Sequence, residues 1–363
     1  MKNTIIYLVF GILLCGSCLS GCAKENTEET PTTCFQTDET ERQTETQTEQ
    51  DEVTMDPVLH KAICEALGYE ADTELTDEDY LNVTSISIFY EDIYSIEGIS
   101  KLANLTSISI SGGNITDISE LAKLPNIQFI DIYQNLIVEL PDFSQCRELT
   151  EVHLAGNLIE DISSLSENDV LTYVDVSNNR ISSIGAIGDN TAIESLSIDS
   201  NCILDYASIS DNENLIDAIN NGSQTTYDVF LETERLAQSV VETFSKNLSE
   251  LELEKYIYQY VIDNMEYEVV YRDGAAFGYY ALKDGVGVCG DYAELFCILA
   301  NHAGLEAYVC SSETHAWNTV VIDGVTYHCD TLWDEGQEEW IYFNLSGEEI
   351  GKVEDHSFDK RRY

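Results

Sequence analysis

The stretch Ile127-Gln128-Phe129-Ile130-Asp131-Ile132-Tyr133-Gln134-Asn135 decides how the middle of the chain folds. Apolar side chains alternate at Ile130 and Ile132, the period of a short strand with one buried face, and an Asn closes the run. The same arrangement returns every 22 residues, its first position falling on Val83, Leu105, Ile127, Leu149, Leu171, Ile193 and Leu215. The closing Asn recurs at Asn135, Asn157, Asn179 and Asn201, while Glu91 and Gly113 stand there in the first two units. Beyond each strand apolar residues fall three apart, as in Ile115, Ile118, Leu121 and Leu124, the spacing of a 3₁₀-like return. One such unit cannot bury its own apolar face, so the units must stack, with the Asn amide answering backbone groups at the turn. The pattern predicts six repeats over 83–214.

These repeats resemble the leucine-rich repeats of bacterial surface proteins, close to the internalin type. Residues 56–82 fit a helical cap of the kind that resemblance implies. Asp56-Pro57 opens a helix with Leu59, Ile63 and Leu67 on one face, Gly68 stops it, and Thr76-Asp77-Glu78-Asp79 reads as a capping box. The outward positions of the strands include Phe89, Phe129, Tyr133 and Tyr173 beside Asp131, Glu151, Asp175 and Asp199, with no Lys or Arg. Aromatic anchors in an acidic field suit a polar or cationic protein, peptide or glycan partner.

The N-terminus reads as an address. Lys2 precedes an apolar run of about 15 residues, short of the ~20 that span a bilayer, and the run ends in Leu19-Ser20-Gly21-Cys22. That ending resembles the lipobox of bacterial lipoproteins, which implies a signal peptide over 1–21 and a lipid on Cys22, with the chain on the outer face of the cell membrane. The next segment, 22–55, is rich in Thr and acids and has no periodic apolar pattern, so it reads as a disordered tether.

Past about residue 230 helical spacing takes over. Ser249-Glu250-Leu251-Glu252 opens a helix with Leu253, Ile257 and Val261. Gly285-Val286-Gly287-Val288-Cys289 leads into another, with Ala293, Phe296, Leu299 and Ala300, so Cys289 falls at a helix N-terminus, where the dipole favours the thiolate. Asp323-Gly324, between Val320-Val321-Ile322 and Val325-Thr326-Tyr327, signals a two-residue hairpin. If Ile322 faces Val325, then His315 and Asp330 share a face as diagonal neighbours. An acid orienting an imidazole that serves a thiol is the logic of a Cys-His-Asp triad. His328 shares the face and is a rival base, while Cys297, Cys310 and Cys329 read as buried apolar residues. Cys297 lies ~12 Å along the helix from Cys289, too far to bridge it.

Three stretches, Gly285 to Ala293, His315-Ala316-Trp317-Asn318 and Tyr327 to Asp334, resemble the transglutaminase-like superfamily with its papain-like core; the resemblance covers about 230–350. It implies Cys289 as nucleophile, His315 as general base then acid, Asp330 as orienting carboxylate, and Tyr279 near the oxyanion site. Gly290-Asp291 departs from the Gln-Gly that bacterial relatives often carry. The implied reaction is acyl transfer from a peptide or glutamine amide through a thioester, to water (protease or deamidase) or to an amine (cross-linking). No metal or other cofactor is called for, and no EF-type loop is present. The expected fold is a multidomain α+β chain, a leucine-rich-repeat solenoid followed over 215–363 by a transglutaminase-like papain-type domain. The rival is a non-enzymatic adhesin whose repeats do the work. A formal charge of −50, from 17 Lys+Arg against 67 Asp+Glu, excludes nucleic acid as a main partner and adsorption onto anionic lipid, leaving the lipid anchor as the membrane attachment.

Overall fold

The computed structural model describes residues 55–270, 277–312 and 314–357. The expected signal peptide, Cys22 and all of the tether but its last residue lie outside the described residues. Asp56 caps α1 (Pro57–Leu67) by accepting the Val58 N–H at 2.8 Å, and Gly68 ends it in the left-handed conformation, φ 74°. Thr76 and Asp79 form the reciprocal capping box of α2 (Asp77–Leu81). Leu59 and Ile63 close the apolar end of the repeat stack against β1.

Six strands follow in one parallel sheet in chain order: β1 (Ser85–Phe89), β2 (Ser107–Ser111), β3 (Phe129–Tyr133), β4 (Glu151–His153), β5 (Tyr173–Asp175) and β6 (Ser195–Ser197). Ile86 pairs with Ile108, Ile108 with Ile130, Ile130 with Val152, Val152 with Val174 and Val174 with Leu196, so the sequence period is the sheet register. Short 3₁₀ turns such as Ser119–Lys123 and Ser163–Leu165 form the return side. The Asn at each turn works as a ladder. Asn157, Asn179 and Asn201 accept the N–H of Ile137, Ile159 and Ile181 and donate to carbonyls of their own and the preceding repeat, such as Leu154 and Ile132 for Asn157. Gly113 is required beside this ladder, because a Cβ there would stand 2.7 Å from Asn135 Oδ1.

The seventh period ends differently. Leu215 lies not on a strand but in α3 (Glu213–Gly222), which packs on β6 and places Leu215, Ala218 and Ile219 in the repeat core. A Cβ on Gly222 would come within 2.5 Å of the Leu196 backbone, which sets how closely this helix lies on the last strand. The boundary drawn at 215 therefore cuts through the solenoid's C-terminal cap. Next, α4 (Tyr227–Val241) carries the chain from one core to the other, with Tyr227 in the repeat core and Ala237 in that of the C-terminal domain.

That domain contains α5 (Glu250–Asn264), β7 (Glu266–Tyr267), α6 (Phe277–Asp284), β8 (Val286–Gly287), α7 (Cys289–His302), β9 (Glu306–Ser311), β10 (Ala316–Ile322), β11 (Val325–Cys329) and α8 (Gly347–Ile350). Helix α7 packs against an antiparallel sheet of order β11-β10-β9 around Tyr258, Phe296, Leu299 and Val320. Among the described residues, no helix is long and apolar enough to cross a membrane.

Candidate active site

The start of α7 is built by a glycine and an acid. Asp291 accepts the Val288 N–H at 2.9 Å, and a Cβ on Gly287 would sit 2.3 Å from the Asp291 carboxyl carbon. Gly287 thus lets Asp291 fold back over the turn, which makes Cys289 the first residue of the helix. At the departure from the family pattern, then, Asp291 is the helix cap. The His315 side chain and the backbone N–H groups of Ala316 and Gly290 face Cys289 and favour its thiolate. A Cβ on Gly290 would meet nothing within 4 Å, so the residue after the thiol borders open space.

The hairpin brings in the partners. Asp323 and Gly324 have φ of 49° and 77°, the pair of positive values that a tight two-residue turn requires. Ile322 pairs with Val325, and the ladder runs to Asn318–Cys329. There Asp330 leaves it and donates its N–H to Tyr342 O at 3.0 Å. The His315 backbone is pinned to Ser312, whose Oγ accepts its N–H at 3.0 Å. His315 Nε2 lies 2.5 Å from Asp330 Oδ2. With Nε2 so engaged, Nδ1 is the nitrogen left to face the sulfur. Asp330 Oδ1 accepts the Trp333 N–H at 3.0 Å, which fixes the carboxylate plane.

A residue that the sequence reading missed completes the cluster. His356, fully buried, sets Nε2 2.8 Å from the same Asp330 Oδ2 and Nδ1 3.0 Å from the Glu354 carbonyl. Either ring nitrogen can be the donor, and both of its neighbours, a carbonyl and a carboxylate, are acceptors. Trp317 and Trp333 cage the ring at centroid distances of 4.7 and 4.5 Å. No periodicity or motif ties position 356 to the hairpin; the aromatic run Trp333, Trp340 and Tyr342 was the nearest signal of a buried pocket there. His315, Asp330 and His356 bring three potential metal ligands within 4.8 Å of one another. Two ligands on one tetrahedral metal stand roughly 3.4 Å apart. The contacts of 2.5 and 2.8 Å are closer than that and have the spacing of hydrogen bonds.

The electrostatics follow. Burial opposes the charged form of His315, but the bonds to Asp330 and Cys289 outweigh it and raise the imidazole to about 9. Burial likewise opposes ionisation of Cys289 and Asp330. For the thiol, the His315 bond with the backbone N–H groups of Ala316 and Gly290 overcomes burial; for the carboxyl, His315 and His356 do, so both groups fall below their usual values. These shifts all favour a thiolate–imidazolium pair beside a carboxylate.

The rival base is otherwise engaged. His328 Nδ1 accepts the Trp317 indole N–H at 3.1 Å, and burial followed by His356 pushes the ring down to about 4. Cys297, Cys310 and Cys329 are buried. Tyr258 bridges the Asp330 carbonyl and Asp334 Oδ2 at 2.7 and 2.6 Å, and Asp334 also takes the N–H groups of Ile341 and Tyr342, so the loop behind the acid is braced. Tyr279 accepts a hydrogen bond from Lys283 at 2.9 Å and lines a cleft with Cys202, Glu294 and Cys297, away from the contacts that gather Cys289, His315 and Asp330.

On the solenoid, Phe89 is exposed, while Phe129, Tyr133 and Tyr173 are half-buried on the strand face. His153, which the reading of outward positions passed over, stands between Phe129 and Tyr173 at centroid distances of 5.2 and 4.6 Å. The exposed Tyr90 is raised above its usual value by the neighbouring Tyr133.

No curated protein matches the chain. Among solved structures it is similar to an internalin (inlF) of Listeria monocytogenes, 24% identical over 43% of this chain and 54% of that one, TM-score 0.35. It is similar also to internalin C2 (inlC2) of the same organism, 22% identical over 46% of this chain and 82% of that one, TM-score 0.36. A leucine-rich-repeat protein of Leptospira interrogans is 25% identical over 31% of this chain and 30% of that one, TM-score 0.29. The chain thus spans about half the length of the first of these. Residues 234–344 match the transglutaminase-like superfamily, so the cluster at the start of α7 belongs to a transglutaminase-like domain that follows a leucine-rich-repeat solenoid.

Proposed function

We propose that this chain is a lipid-anchored surface protein whose C-terminal domain transfers acyl groups from peptide or glutamine amides through a thioester on Cys289. The observation that carries the reading is the set Cys289, His315 and Asp330, in which an imidazole that lowers the thiol's pKa lies 2.5 Å from a buried carboxylate. In the first step the thiolate adds to the amide carbonyl and the C–S bond forms. The oxygen takes the charge beside the Gly290 N–H, in the manner of an oxyanion hole. His315 passes its proton to the amine nitrogen as the C–N bond breaks. Water or a second amine then adds to the thioester and gives its proton to His315, and the thiolate leaves. Tyr279 has no step in this scheme.

The repeats supply recognition. Phe89, Phe129, Tyr133, Tyr173 and His153 form an aromatic surface in a solenoid that carries 21 acids and 4 bases over 83–214, suited to a cationic peptide or protein segment. The anchor rests on the Leu19-Ser20-Gly21-Cys22 ending. The test is to incubate the protein with glutamine-bearing peptides, quench in acid and map adducts by mass. An acyl group on Cys289, absent in Cys289→Ala, supports the proposal. Peptides that leave Cys289 unmodified while binding the repeats would return the function to adhesion.

A further inference from the structure

The solenoid and the C-terminal domain meet at a pair of thiols. Cys202, on the turn after β6, has its sulfur 3.9 Å from that of Cys297, at the middle of α7. Both point at one acceptor, the Ala307 carbonyl, at 3.7 and 3.2 Å. Their backbones are held independently. The Cys202 N–H donates to Ile181 O at 3.0 Å and the neighbouring Asn201 is part of the ladder, while Cys297 sits within a helix. Cys202 is half-buried and lines a cleft with Ser200, Tyr206, Thr233 and Asn301, so a reagent reaches it from solvent; Cys297 lines the same cleft but is buried.

We propose that Cys202 and Cys297 are the site of a disulfide that ties the last repeat to the nucleophile's own helix. The bond needs an oxidant that is itself a disulfide, a reagent class available outside the cytoplasm, so its presence in cells rests on the surface location proposed above. The Cys202 thiolate attacks one sulfur of the oxidant, whose S–S bond breaks and releases one thiol. The Cys297 thiol then gives up its proton and attacks the Cys202 sulfur, and the second oxidant thiol leaves. Two protein thiols thus lose two electrons and two protons, which the oxidant takes up. Cys297 is held well above its usual value, first by its hydrogen bond to Cys202 and then by burial. Capping Cys202 removes the first of these causes, so the first exchange prepares the second. The closed bond spans two parts otherwise joined in sequence through α4, and Cys289 lies two turns from it on the same helix.

The experiment equilibrates the full-length protein in detergent with reduced and oxidised glutathione, blocks remaining thiols in denaturant and digests without reduction. The Cys202 and Cys297 peptides are expected joined, lighter by two hydrogens than their sum, with loss of blocking at both positions together. The oxidised protein is expected to melt higher than the reduced one, and Cys202→Ser to abolish that difference while Cys297 stays blockable. Cys202 recovered as a glutathione adduct with Cys297 still a thiol, or both thiols retained, overturns the proposal. The readout is independent of the fate of Cys289, so acyl transfer and the junction bond fail or stand separately.

Discussion

Replacing His356 by Phe should weaken the protein and, separately, move the ionisation of the site. Phe keeps the ring volume between Trp317 and Trp333 and removes the bonds to Asp330 at 2.8 Å and to Glu354 at 3.0 Å. A hydrogen bond to a charged group contributes about 1.5–3 kcal/mol and a neutral one about 1 kcal/mol. The expected loss is thus about 3 kcal/mol, roughly a hundredfold in the unfolding equilibrium. The second effect concerns charge. Asp330 Oδ2 divides its field between two imidazoles; once His356 is gone, His315 alone faces it, and the ring should hold its proton above the value of about 9 that it has now. Urea unfolding followed by Trp fluorescence reads the first effect. The alkaline limb of Cys289 alkylation, mapped by peptide mass against pH, reads the second and should shift upward. His356→Gln, which keeps a donor for Asp330, should restore part of both. A variant that loses stability while its alkaline limb stays in place would refute the positioning role and leave His356 a packing residue.

Burial raises the Glu254 carboxyl to about 7 from 4.5, and the Asn344 bond offsets only part of that. The native state therefore keeps a proton that the unfolded chain gives up, so stability should fall between these values by about 3 kcal/mol and stay lower above them. Glu254→Gln should abolish that slope in denaturant titrations and be the more stable protein at alkaline pH. Asn179→Ala strands the Ile159 N–H and leaves the Leu154 and Val176 carbonyls one donor short, so unfolding should cost about 3 kcal/mol less. An unchanged urea midpoint would mean that the ladder is dispensable. Cys22→Ser should release the chain from membranes or leave it unprocessed; a processed form that still sediments with membranes would exclude the anchor.

The sequence made the solenoid legible because one 22-residue period encodes both the strand pairing and the Asn ladder, so each unit repeats the signal of the last. The C-terminal cap was harder to see. Leu215 keeps the period, and only the helical placing of Ala218 and Ile219 behind it shows that the backbone has changed. In the site, Cys289, His315 and Asp330 could be found because a helix start and a two-residue hairpin are local signals that also fix geometry. His356 could not, since its place depends on how the chain after α8 folds back over Trp317 and Trp333. Nor could the Cys202–Cys297 contact, which joins two domains across 95 residues. The family resemblance already favoured His315 over His328, but the physical reason, the indole bond that occupies His328 at 3.1 Å, needed coordinates.

The most direct test of the central claim is the rate of Cys289 alkylation by iodoacetamide as a function of pH, with every cysteine mapped by peptide mass in the folded protein. The thiolate–imidazolium pair predicts that Cys289 reacts well below the pH at which a free thiol ionises, ~8.5. Its rate should hold until His315 loses its proton near pH 9, while buried Cys297, Cys310 and Cys329 stay slow. A Cys289 that labels only as an ordinary thiol, with a profile unchanged by His315→Ala, would contradict the account.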